Sequence, residues 1–119
     1  MKSLMVGLLI IVASIRPATG GEQYTCNMMA LTQEERAEYE KLATTLLASV
    51  QETKELKDGY SFRLPPEKLV DAARWVSFER QCCPFFVFEL HVAKDGGPVW
   101  LRVTGDKGIK EFIRAEFQL

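Results

Sequence analysis

From Thr32 onwards, apolar residues first recur at steps of three and four. Tyr39, Leu42, Ala43, Leu46, Leu47 and Val50 make a stripe about three turns long, while Glu34, Glu35, Arg36, Glu38, Glu40 and Lys41 fall mostly on the wet side. Thr32 followed by Glu35 supplies the two halves of a capping box, so a helix begins there. The period then shortens to two: after the turn Lys57-Asp58-Gly59, Tyr60, Phe62 and Leu64 alternate with Ser61 and Arg63, as in a half-buried strand ended by Pro65-Pro66. Pro66 suits the first turn of a second helix. Along that helix Leu69, Ala72, Ala73, Val76 and Cys83 line one side, and Trp75, Phe78 and Cys82 a neighbouring stripe, until Pro84 stops it.

Alternation returns after Pro84. Phe86, Phe88, Leu90 and Val92 share one face of a strand, and Phe85, Val87, Glu89 and His91 the other. Lys94-Asp95-Gly96-Gly97-Pro98 turns the chain into a partner strand in which Val99, Leu101 and Val103 alternate with Trp100, Arg102 and Thr104. Asp106 is the expected cap of a last helix that presents Ile109, Phe112, Ile113 and Phe117. The order α-β-α-β-β-α predicts an α+β fold in which a three-stranded antiparallel sheet carries its helices on one face. Its other face, with Phe85, Val87, His91, Trp100 and Arg102, is apolar enough to predict a homodimer through the outer sheet face.

The first 20 residues change the setting of this domain. Lys2, the apolar run Met5 to Ile15 and the small residues Ala18-Thr19-Gly20 read as a signal peptide, leaving residues 21–119 as a single domain that is periplasmic or secreted. The apolar run is too short to span a bilayer comfortably, so no membrane contact is expected after cleavage. Of the 15 basic residues, Lys2 and Arg16 leave with the leader; 13 then face 16 acidic ones, a net charge of −3 that gives nucleic acid no footprint.

The candidate chemistry sits where the second helix meets Pro84. Three cysteines, Cys26, Cys82 and Cys83, are an odd number in an oxidising compartment and lack any Cys-x-x-Cys spacing. Glu79 precedes Cys82 by three residues and Cys83 by four, which places its carboxylate over the same turn. Cys26, Cys82, Cys83 and Glu79 therefore form a candidate site for a thiophilic metal or metalloid ion, Zn(II), Cu(I), Hg(II) or As(III). Adjacent helical residues point about 100° apart, so both thiols of the pair reach one ion only if the last turn unwinds at Pro84. The alternatives are a disulfide from Cys26 to either Cys82 or Cys83, acting as a staple or in thiol exchange, and plain packing of buried thiols. His91 on the outer face reads as a surface or partner contact, and no catalytic triad is spaced along the chain.

One pattern runs through most of the domain: Cys26, Ala30-Leu31-Thr32, Glu34-Glu35-Arg36, Asp58-Gly59-Tyr60, Glu79-Arg80, Cys82-Cys83-Pro84-Phe85, Gly97-Pro98-Val99-Trp100-Leu101, Thr104-Gly105 and Lys110-Glu111-Phe112. In this the chain resembles a family of small bacterial proteins with no established activity. The resemblance implies one fold unit and three cysteines that belong to one site. Many such proteins lack a leader, and the leader here argues against a simple cytosolic, reduced-thiol role.

Overall fold

The computed structural model describes residues 24–119. The expected signal peptide lies outside them, and among the described residues no helix is long and apolar enough to cross a membrane. The elements are α1 (Gln33–Ser49), β1 (Glu52–Leu56), β2 (Gly59–Leu64), α2 (Leu69–Cys82), β3 (Val87–Val92), β4 (Val99–Thr104) and α3 (Ile109–Phe117), with short 3-10 turns at Met28–Ala30 and Pro66–Lys68.

The α+β class stands, but the sheet has four strands rather than the expected three, all antiparallel, in the order β1-β2-β4-β3. The additional strand, Glu52-Thr53-Lys54-Glu55-Leu56, is an edge strand. It pairs with β2 from Glu52↔Arg63 to Leu56↔Gly59 and is almost entirely exposed, so it needs no apolar alternation. Gly59 is required where β2 meets β4, because a β-carbon there would stand 2.0 Å from the Val103 carbonyl oxygen.

Inner-face residues Tyr60, Phe62, Leu64, Val99, Leu101 and Val103 join Leu46, Ala72, Trp75, Phe78, Ile109 and Ile113 from the helices in one buried cluster. The sheet is thus covered on one side by helices. Its other side carries cross-strand charge pairs, Arg63 with Glu52 at 3.6 Å and Arg102 with Glu89 at 3.2 Å, and Lys54 lies over the Trp100 ring. Phe85, expected on this outer face, is instead packed against Tyr24, Phe86 and Phe112. It belongs to the turn after Cys83, and the strand alternation starts only at Val87.

Local signals explain most element ends. The Thr32 hydroxyl accepts from the Glu35 amide and the Glu35 carboxylate from the Thr32 amide, closing the capping box. Asp95 and Gly96 both have positive φ, and the Gly97 amide donates to the Lys94 carbonyl, giving the mirror-image turn that a right-twisted hairpin favours. Asp106 does not cap α3 with its side chain: Gly108, at φ 89°, occupies the N-cap.

Candidate thiol site

The site is assembled where α2 ends. Cys82 is the last helical residue, whereas Cys83 has left helical geometry at φ −129° and ψ 70°, although its amide still donates to the Glu79 carbonyl. That unwinding before Pro84 separates the roles of the two thiols. Cys83 forms a disulfide with Cys26, 57 residues earlier, and Cys82 remains a buried free thiol whose sulfur is 3.6 Å from that of Cys83.

Backbone and side-chain contacts hold the segment that carries Cys26 in place. The Asn27 amide donates to the Cys82 carbonyl at 2.7 Å, satisfying one of the acceptors that a helix end leaves open. Arg36 on α1 donates to the Leu31 carbonyl at 2.8 Å, and the Tyr24 hydroxyl donates to the Lys107 carbonyl at 2.7 Å. The disulfide therefore closes onto a segment that is already docked across α1, α2 and the turn before α3.

Glu79 is the unusual member. It sits one turn before Cys83 on the inner side of α2 and is only 2 % exposed. The Tyr39 hydroxyl of α1 donates a short hydrogen bond to its Oε1, while Oε2 has no hydrogen-bond partner among the described residues. Burial pushes the Glu79 carboxyl up to about 7, against the opposing pull of the Tyr39 hydrogen bond. The same burial, with the Glu79 charge beside it, raises the Tyr39 hydroxyl well above its ordinary range. Burial first, then Glu79, pushes the Cys82 thiol up to about 11, so it stays S–H at neutral pH.

Cys26 Sγ, Cys83 Sγ and a Glu79 carboxylate oxygen all lie within 4.8 Å of one another. They share the wall of a cavity of about 100 Å³ whose other walls include Tyr39, Ala43, Leu46, Phe62, Trp75 and Phe112. Exposed Leu47 and Glu116 also stand on its wall, so it opens to the surface between α1 and α3. Comparisons with protein families, curated proteins and solved structures give no match.

Of the four residues expected in the site, Cys26, Cys83 and Glu79 converge, and Cys82 adjoins them through Cys83 without lining the cavity. His91 is exposed on β3 opposite Trp100 and stands outside the group. Tyr39 was legible only as one apolar position of the α1 stripe. Its partner lies 40 residues away, and no local pattern links the two.

Proposed function

We propose that the protein is a thiol-based binder of thiophilic ions, in which reduced Cys26 and Cys83 together with Glu79 form the ligand set, and the Cys26–Cys83 disulfide is the oxidised, closed form. The observation that carries this reading is the convergence of two sulfurs and a carboxylate within 4.8 Å on one cavity wall. Donors about 2.0–2.3 Å from a shared ion stand roughly 3.5–4 Å apart, which these three reach with small side-chain movements once the disulfide is reduced. Thiolates select soft ions. An ion also removes the cost of burying Glu79, whose free oxygen then gains a cation and whose proton is released on binding. Cys82, held protonated, lies against the Cys83 sulfur at 3.6 Å and takes no part in the ligand set.

Titration of the phosphine-reduced protein with Zn(II), Hg(II) and arsenite tests this directly. One equivalent of at least one of them binds, and Cys26→Ser and Cys83→Ser each lose it. Absence of stoichiometric binding by the folded, reduced protein rejects the reading, as does a protein that unfolds when reduced.

Access favours thiol–disulfide exchange as a second reading, because Cys26 is partly exposed while Cys83 is buried. An external thiolate attacks Cys26 Sγ, the Cys26–Cys83 bond breaks, and the departing Cys83 thiolate takes a proton from Glu79. Glutathione then forms a mixed disulfide at Cys26 detectable by mass spectrometry; a protein that resists millimolar glutathione for hours is a staple and no exchanger.

A further inference from the structure

A bare ion leaves the cavity unexplained. Three donors satisfy a soft ion from one side only, and apart from Tyr39 and the exposed Glu116 the rest of the lining, including Ala43, Leu46, Phe62 and Phe112, is mainly apolar rather than a bed of further ligands. Resting on the ion-binding reading above but with Glu79 beside the ligand as proton carrier instead of bound to it, we infer that the ligand is trivalent arsenic carrying one organic substituent, held as a dithiolate by Cys26 and Cys83 with the substituent in the apolar cavity.

Valence and shape select this class. Trivalent arsenic makes three bonds, so one bond to carbon leaves two for sulfur, the number of sulfurs on the cavity wall. Arsenite on the same two sulfurs keeps its third bond to oxygen, which sets a hydroxyl rather than an apolar group against the cavity, and Cys82, buried and absent from the cavity lining, offers no third sulfur in its place. A mono-organic mercury(II) takes one thiolate and leaves the other idle, while Zn(II) on these donors completes its tetrahedron with water and gives the apolar cavity nothing to hold. A dry apolar cavity of about 150 Å³ holds benzene. The space here, about 100 Å³ and open past Leu47 and Glu116, accommodates substituents from methyl to a partly projecting phenyl ring.

The binding step balances without redox chemistry. An organoarsenic(III) oxide plus the two thiols gives two As–S bonds and one water; both thiol protons leave on the arsenic oxygen, and arsenic stays trivalent. Glu79, within 4.8 Å of both sulfurs, is placed to carry a thiol proton toward that oxygen.

The test uses the full chain, reduced with a phosphine, and two probes, phenylarsine oxide and arsenite, each partitioned between the protein and dithiothreitol, a dithiol with no cavity. Relative to that reference, the protein favours the phenyl compound over arsenite by about tenfold or more, the scale for burying an aromatic ring. Ala43→Leu, which fills the cavity from α1, brings this preference close to parity and leaves arsenite partition unchanged; Ala43→Val is the milder variant if the first does not fold. Cys82→Ala keeps the preference. Equal partition of both probes by the wild type overturns the organic substituent but leaves ion binding standing. Preference that survives in a folded Ala43 variant overturns its placement in the cavity, and loss in Cys82→Ala overturns the two-sulfur assignment. Failure to bind either probe removes the ion-binding reading for arsenic and this inference with it.

Discussion

On the outer face of the sheet Glu52 and Glu89 stand beside Arg63 and Arg102, and between α1 and α2 Glu38 meets Arg74 in a two-point contact at 3.1 Å. All are exposed. The Arg74 hydrogen bonds hold the Glu38 carboxyl below its ordinary range, and Lys110 does the same for Glu55. Glu79, on the other side of the same helix pair, has a hydroxyl for company but no paired cation among the described residues, and its carboxyl is displaced in the opposite direction. Paired surface carboxylates are cheap and contribute little. An uncompensated carboxyl in the interior lowers stability near neutral pH, and its place beside two sulfurs gives a reason for keeping it there.

The largest effect that sharpens this contrast is loss of the covalent tie. Closing a loop of 57 residues corresponds to about 4 kcal/mol by chain entropy. Cys26→Ser should lower the unfolding free energy by about that amount against the oxidised wild type, and should match the reduced wild type in urea unfolding. A cost below about 1 kcal/mol would show that the docked segment holds without its disulfide.

Next comes the pH dependence of Glu79. The folded protein holds this proton more tightly than the unfolded chain, at about 7 against 4.5. The stability contributed by the protonated carboxyl is therefore complete below about pH 4.5 and lost as pH rises through 7, a change of about 3 kcal/mol. In Glu79→Gln that decline is absent, so the variant is the more stable protein at pH 8 and nearly equal at pH 4. Parallel stability curves for the two proteins would break the comparison.

A smaller effect isolates the hydroxyl. Tyr39→Phe removes the donor that stabilises the ionised Glu79, so the carboxyl midpoint, followed by carbon-13 NMR, moves upward from about 7, and stability at pH 8 falls by about 1–2 kcal/mol. An unmoved midpoint would mean that solvent already reaches the carboxylate. The smallest effect is at the surface: Glu38→Gln leaves the urea midpoint unchanged within its scatter, at low and high salt alike.

Much of the fold was legible because it rests on local chemistry. The Thr32–Glu35 box, the helix stop at Pro84 and the Asp95-Gly96 hairpin each depend on residues within a few positions of one another. β1 was not legible, since an edge strand of Glu, Thr and Lys has neither face buried and leaves no period to read. Phe85 was assigned to the wrong face because periodicity does not reveal where a turn ends and a strand begins. Of the site, the meeting of Cys26 with the α2 corner and the approach of Glu79 followed from residue type and helical spacing, with the choice of Cys83 left open. That choice, the Tyr39 hydroxyl and the cavity arise from packing of α1 on α2 and α3, contacts between residues tens of positions apart.

The step from helical Cys82 to non-helical Cys83 also bears on how the chain matures. Three thiols permit three pairings, and an unfolded chain has little to choose between the two adjacent ones as partners for Cys26. Only after α2 has wound up and stopped does one sulfur turn toward the docked segment while its neighbour is sealed in the core. Oxidation that follows folding yields a single isomer; oxidation that precedes it yields a mixture requiring reshuffling, so the order of the two events sets the yield of correctly bridged protein.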